Sequence, residues 1–343
     1  MRVGYVAPAS IAAVNGGIRV QALNTIEQIK ALGVEPVLLS PWQKLEEQNI
    51  DLIHIFGATV ENVGISDQLK GLKIPTVLSP VFYSNHGSSF IKNALRLEKL
   101  SSVLGTGIRS DFSVKAQLCG QSNMILPNTS EEARLIEDGF LIPQNKIHVV
   151  PNGVEERFAD ADPALFSEKY KLKDFVLFVG QAGAPRKNVM NLLKAAEEIE
   201  APVVIIGSFY KDNYGLRCKQ LALKNDHVHL IESIEHNSEM LSSAYAASKV
   251  FVLPSRYETP GIAALEAALA GANIVITKNG GTKDYFTSHA VYIDPDSLSS
   301  LSEGINKSLK KEKDDLLKQH ILTNYTWNKV AQQTVAHYKT LVS

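Results

Sequence analysis

Pro254-Ser-Arg-Tyr-Glu-Thr-Pro-Gly-Ile-Ala-Ala-Leu-Glu-Ala-Ala-Leu-Ala-Gly271 reads as a strand end, a polar turn and a helix of small residues running from about Gly261 to Ala270. With the β-branched run Val250–Pro254 ahead of it, the segment is the βα part of a βαβ unit. The same alternation extends outward on both sides. Phe175–Gly180, Val203–Gly207 and His229–Glu232 precede it as strand-like runs separated by helix-length amphipathic segments, and Ile274–Thr277 follows. The first half repeats the theme with Arg2–Val6, Val34–Ser40, Leu52–Phe56, Thr76–Leu78, Ser102–Gly105 and Met124–Pro127. Between the first two of these, Ile18, Ala22, Ile26 and Ile29 recur at helical spacing across Gly17–Leu32. Parallel strands need a crossover and a helix supplies one, so the expected class is α/β, with two facing Rossmann-like, doubly wound domains.

A length of 343 residues suits two domains of ~100–200 residues each. The strand-like Ile147–Val150 ends in the turn residues Pro151-Asn152-Gly153, and the polar stretch Glu155–Lys173 follows, which divides the chain into 1–153 and 154–324. Residues 325–343 carry Trp327, Val330, Val335, Tyr338 and Leu341 on one amphipathic helix, expected to cross back onto the first domain. Hydrophobic residues at 45 % and charged residues at 21 % exclude a disordered chain. A net charge of −1 leaves no global positive field for nucleic acid, so any anion must be held by a local site. Cys119 and Cys218, 99 positions apart, suit reduced thiols rather than a disulfide framework. The opening residues lack a signal peptide's apolar run, and no run of about 18 apolar residues occurs, so a cytoplasmic location is expected.

In open α/β sheets ligands settle at the C-terminal ends of strands, where helix N-termini favour phosphate. Glu258 lies in the turn and Glu266 eight positions on, at most roughly 12 Å of helical rise away. That spacing suits two carboxylates gripping hydroxyls at opposite ends of a nucleotide diphosphate sugar, whereas a glycosidase pair needs ~5–9.5 Å and facing sides. The alternative for Glu266 is a solvent-facing helix position; Ala263, Ala264, Ala267 and Ala268 around it speak for burial. A second cluster, Val179-Gly-Gln-Ala-Gly-Ala-Pro-Arg-Lys-Asn188, sets Arg186 and Lys187 beside the start of the helix Val189–Glu198, where a pyrophosphate can lie; the alternative is a solvated turn. Thr277-Lys-Asn-Gly-Gly-Thr-Lys-Asp-Tyr285 and Asn15-Gly16-Gly17 are further glycine-bearing strand-to-helix turns, open to the same two readings. No G-x-G-x-x-G, Walker, zinc or G-x-S-x-G pattern occurs, which disfavours dinucleotide oxidoreductases and phosphate-hydrolysing motors.

Taken in order, Gly16-Gly17, Pro151-Asn-Gly-Val-Glu155, Gly180, Arg186-Lys187-Asn188, Pro254-Ser255, the E-x7-E pair and the Trp327 helix resemble glycosyltransferase family 4, retaining enzymes of the GT-B fold, over essentially the whole chain. The resemblance implies that Glu258 contacts the donor sugar and Glu266 the ribose hydroxyls, while Arg186 and Lys187 neutralise the diphosphate. Gly180, Asn188, Thr259, Gly261, Ile262 and Gly281 complete the implied donor site, and Gly16, Gly17 and His86 the acceptor site, with no metal. Two departures stand out. Leu78-Ser79-Pro80 replaces the family's His-Asp pair, with His86 seven residues on as a substitute or a surface histidine. Pro260 stands where Phe is common and has no N–H, leaving Thr259 and Gly261 to supply backbone donors.

The implied activity is transfer of a hexose-type sugar, with retention, from a UDP- or GDP-linked donor to a saccharide or lipid-linked hydroxyl in polysaccharide or glycoconjugate synthesis, with no cofactor beyond that donor. A GT-B epimerase and a non-catalytic partner of another transferase are the rival readings. Within 90–100, Lys92, Arg96 and Lys99 lie near one helix face beside Phe90, Ile91, Ala94 and Leu95, which suits either peripheral contact with an anionic membrane on its inner face or an ordinary solvated helix.

Overall fold

The computed structural model describes residues 1–13, 16–40, 42–103 and 109–342. They form two compact units, Met1–Gly153 with Trp327–Ser343, and Val154–Thr326.

In the first unit, β1 (Arg2–Val6), β2 (Glu35–Leu38), β3 (Leu52–Phe56), β4 (Thr76–Ser79) and β5 (Met124–Ile125) make one parallel sheet in the order β2-β1-β3-β4-β5. Every residue of β3 and β4 is buried, as expected of central strands covered on both faces. The two-residue period of β3 sorts its side chains. Leu52 and Phe56 join Ala22 and Ile29 of the helix Gly17–Lys30 and Trp327, Val330, Val335 and Tyr338 of the helix Trp327–Val342, whereas Ile53 and Ile55 join Ile91, Leu118 and Leu135 on the opposite face. The C-terminal helix thus completes the first unit's core, and hydrogen bonds fix its register. Tyr338 Oη lies 2.5 Å from His54 Nδ1 and 3.2 Å from Tyr5 Oη, and His54 Nε2 lies 2.9 Å from Ser79 Oγ.

Pro151-Asn152-Gly153 brings the chain alongside that helix. A Cβ at Gly153 would stand 2.7 Å from the Trp327 backbone nitrogen, so only glycine lets the two segments pass. The run Ser102–Gly105, expected as a strand, is not one: Ser102 and Val103 end the helix Ser88–Val103, and Leu104 and Gly105 lie outside the described residues. Ile147 makes a single bridge to Ile125 and no longer strand.

The second unit's strands are β6 (Val176–Val179), β7 (Val203–Ile206), β8 (Val228–Ile231), β9 (Val250–Leu253), β10 (Asn273–Thr277) and β11 (Val291–Ile293). They are parallel in the order β11-β10-β9-β6-β7-β8. The strand order reverses between β6 and β9, and in the first unit between β1 and β3, and such reversals open a crevice at the strands' carboxyl ends. β11, three residues long and mostly half-buried at the sheet edge, went unread in the sequence, where Ala290-Val-Tyr-Ile293 is too short a run to stand out between polar neighbours.

Candidate functional site

The turns that leave β6 and β9 are stitched together at the second unit's switch point. Asn188, in the left-handed region at φ 55°, donates its amide to the carbonyls of Pro254 (3.1 Å) and Pro295 (2.7 Å), and the Arg256 N–H donates to the Arg186 carbonyl (2.9 Å). The expected donor residue Asn188 is therefore buried as a brace between three turns. The brace brings two cations onto one carboxylate. Lys187 Nζ (2.6 Å), Arg186 Nη1 (3.2 Å) and Ser255 Oγ (2.6 Å) all donate to Glu258 Oε1. The Glu258 side chain is 7 % exposed, and that burial pushes its pKa up, but the charges of Lys187 and Arg186 and the bonds from Lys187 and Ser255 hold it below the usual carboxylate range. Arg186 also donates to the Tyr257 carbonyl (3.1 Å), and its side chain remains 41 % exposed.

Two cations on one anion leave a net positive charge at the strand ends. The helix Ile262–Leu269 begins beside them, from Gly261 at φ 74°; its first N–H groups have no acceptor within the helix and no side chain caps it. Behind Glu258 the glycine turn after β10 crosses its backbone. Glu258 N donates to the Asn279 carbonyl (3.2 Å), and a Cβ on Gly280 (φ 91°) would fall 2.0 Å from the Glu258 carbonyl oxygen. Gly281 precedes the five-residue helix Thr282–Phe286, and Thr259 and Ile262 are half-buried on either side of Gly261. Gly180 follows β6, with its carbonyl so close to Gly207 that a Cβ on Gly207 would stand 1.8 Å from it.

Glu266 is 5 % exposed at the side chain, so the solvent-facing alternative is excluded. Its partners are separate from those of Glu258. His236 Nε2 lies 2.7 Å from Oε1, and Tyr245 Oη donates to Oε2 at 2.8 Å. The hydrogen bond to Glu266 raises the His236 pKa above its ordinary value against the opposing pull of burial. His236 Nδ1 is 3.7 Å from Glu155 Oε1, and Arg157 joins the group by donating Nε to Glu155 Oε2 (2.7 Å) and Nη2 to the His236 carbonyl (2.7 Å). His236 and Tyr245 were invisible in the sequence, because each sits in an ordinary polar or amphipathic stretch with no motif around it, and Arg157 lies two residues beyond the Pro151–Glu155 segment with no pattern that assigns it a role.

The expected acceptor residues belong to the first unit. Gly16 caps the helix Gly17–Lys30, a Cβ on Gly17 would meet nothing, and Asn15 lies outside the described residues. His86 is exposed, with its ring stacked on Phe90 at 4.1 Å between centroids. Ser79, in the segment that replaces the family's His-Asp pair, is bonded to the buried His54.

Residues 165–326 match the family model described as Glycosyl transferases group 1. An uncharacterized glycosyltransferase of Methanocaldococcus jannaschii is 28 % identical over 58 % of this chain and 55 % of its own length. The chain spans about half the length of the curated relatives it matches. Among solved structures, a glycosyltransferase of Rickettsia africae aligns over 100 % of this chain and 98 % of its own at 14 % identity and a TM-score of 0.76. HepE of Anabaena, solved with UDP, aligns over 99 % and 100 % at 12 % identity, also with a TM-score of 0.76. The matched segment lies within the second unit, on a chain whose two parallel-sheet units have the GT-B fold of these solved structures.

Proposed function

We propose that the chain transfers a hexose-type sugar, with retention and without a metal, from a UDP- or GDP-linked donor to a saccharide or lipid-linked hydroxyl, as in family 4 glycosyltransferases. The convergence of Arg186, Lys187 and Ser255 on Glu258 carries this reading. Lys187 has three N–H donors, so it can keep Glu258 and still take a phosphate oxygen, and the exposed side of Arg186 offers the rest of its fork. As the bond from the anomeric carbon to the diphosphate breaks, its electron pair stays on the phosphate oxygen, and these fixed cations stabilise that charge. The acceptor hydroxyl bonds to the anomeric carbon on the face the diphosphate leaves, and its proton passes to the leaving phosphate oxygen. Glu258, kept ionised, then holds a donor-sugar hydroxyl, and Glu266 the ribose. UDP in the HepE structure supports a nucleotide diphosphate in this fold, and the donor serves as the sole small-molecule requirement.

Three measurements test the chemistry. Turnover is expected to persist in excess EDTA, and the product NMR spectrum to show an α-linkage from an α-linked donor; abolition by EDTA with rescue by Mn²⁺, or an inverted anomeric coupling, removes the protein from the retaining, metal-free class. By calorimetry, Arg186→Ala is expected to weaken nucleoside diphosphate binding far more than nucleoside binding, and an equal loss for both ligands removes the diphosphate from Arg186.

A peripheral membrane contact through 90–100, on the cytoplasmic face, is part of the same proposal. The helix Ser88–Val103 exposes Phe90 (52 %), Leu97 (67 %) and Leu100 (64 %) beside Arg96 and Lys99, a mixture suited to anionic lipid at ~1 kcal/mol per basic residue. Among the described residues no helix is long and apolar enough to cross a membrane. Co-sedimentation with phosphatidylglycerol vesicles, lost in Leu97→Ser/Leu100→Ser and absent with phosphatidylcholine, is the expected result. Equal sedimentation of variant and wild type, or none at all, refutes the contact.

A further inference from the structure

We propose that His236 is a gate on the ribose side of the nucleotide site: it holds the Glu266 oxygen that a ribose hydroxyl needs and yields it by turning toward Glu155. The inference rests on the reading of Glu266 given above and goes on to name what that carboxylate must release before it can serve.

The two oxygens of Glu266 have unequal partners. Tyr245, on the helix Glu239–Ala247, is fully buried and holds Oε2 at 2.8 Å, so that bond has no room to exchange. His236 holds Oε1 at 2.7 Å from the loop that follows β8, and its side chain is 44 % exposed. Of these two partners His236 is the solvent-side one, and an incoming hydroxyl competes with it. The imidazole has a second position available. Nδ1 is already 3.7 Å from Glu155 Oε1, slightly beyond hydrogen-bond distance, so a small rotation exchanges one carboxylate for the other without stranding a charge. The loop itself stays anchored, because Arg157 clamps the His236 carbonyl at 2.7 Å while its Nε holds Glu155 at 2.7 Å. The charged groups at the ring are therefore Glu266 and Glu155, with Tyr245 bonded to the first and Arg157 to the second. Asn237 Oδ1, its chain neighbour, lies 3.3 Å from Nδ1.

Two properties follow. Protonated His236 grips Glu266 more strongly than neutral His236, so nucleotide affinity rises with pH as the raised His236 pKa is passed and then levels off. By linkage, saturation with nucleotide must lower that pKa.

The test compares UDP and GDP affinities of wild type and His236→Ala by calorimetry between pH 6 and pH 9. The ratio of the two proteins' affinities cancels titration of the ligand's own phosphate. The variant is expected to bind roughly fivefold to tenfold more tightly than wild type at pH 6 and nearly equally at pH 9. A pH-independent ratio, or weaker binding by the variant throughout, means that His236 only supports the loop and overturns the gate. Wild type that binds neither nucleotide at any pH overturns the site assignment itself, which is a different result. Should the variant fold poorly, the wild-type His236 imidazole is titrated by NMR with and without nucleotide. A pKa that falls on saturation supports the gate, and one that is unchanged or rises overturns it.

Discussion

Lys187→Ala is expected to lower sugar transfer by roughly 10²–10³-fold, the usual cost of one pre-oriented donor in a site that stabilises developing negative charge. Its effect should exceed that of Arg186→Ala. Lys187 makes the shorter contact with Glu258, at 2.6 Å against 3.2 Å, and its side chain is 17 % exposed against 41 %, so its charge is less screened by water. Glu258→Gln should separate binding from chemistry. Removing the carboxylate leaves two cations without their shared anion, which destabilises the protein alone; losing one partner of a buried pair costs up to ~3–5 kcal/mol, and less here because Arg186 reaches solvent. A nucleoside diphosphate supplies the missing negative charge. The variant is therefore expected to bind free UDP or GDP at least as tightly as wild type, to regain thermal stability on binding, and to lose transfer. Diphosphate affinity that falls in step with turnover would show that Glu258 organises the cations instead of the sugar.

The second large effect is acid unfolding of the first unit. Burial holds the His54 pKa down at about 3, against an ordinary 6.5, between Tyr338 and Ser79. A histidine that is neutral when folded and protonated when unfolded stabilises the fold fully above the unfolded pKa, and that stability drains away as pH falls from 6.5 toward 3. The loss is on the order of 4 kcal/mol by pH 3. Glu132 opposes it in the upper part of that window. Burial raises its pKa to about 7 against the N–H bonds from Phe82 (2.6 Å) and Asn128 (2.7 Å), so acidification from pH 7 to 4.5 relieves a buried charge and stabilises the unit. Between these two groups, stability is expected to change little from pH 7 to 4.5 and to fall steeply below. Both tryptophans, Trp42 and the buried Trp327, lie in this unit, so urea titrations followed by fluorescence report on it. The difference between wild type and His54→Gln cancels the other carboxylates. It should shrink steadily below pH 6.5, and a difference constant with pH would refute the assignment to His54.

The sequence alone determined what depends on near neighbours along the chain. Strands such as Leu52–Phe56 and Val250–Leu253 are runs of apolar residues, and the helix Gly17–Lys30 is a 3.6-residue pattern, so both can be read from a window of ten or so residues. Ser102 and Val103 were misread because a short apolar run carries no periodicity of its own, and it is the helix running on from Ser88 that takes them in. Glu258, Arg186 and Lys187 were recognisable as candidates because each stands at a strand-to-helix turn. That they meet on one oxygen was not legible. The contacts join residues 71 and 72 positions apart, and that distance closes only when β9 takes its place beside β6. The environment of Glu266 lay further out of reach. A histidine 30 positions away and a tyrosine 21 positions away acquire a role only because separate elements pack over one helix face, and such long-range contacts have no signature in local propensity.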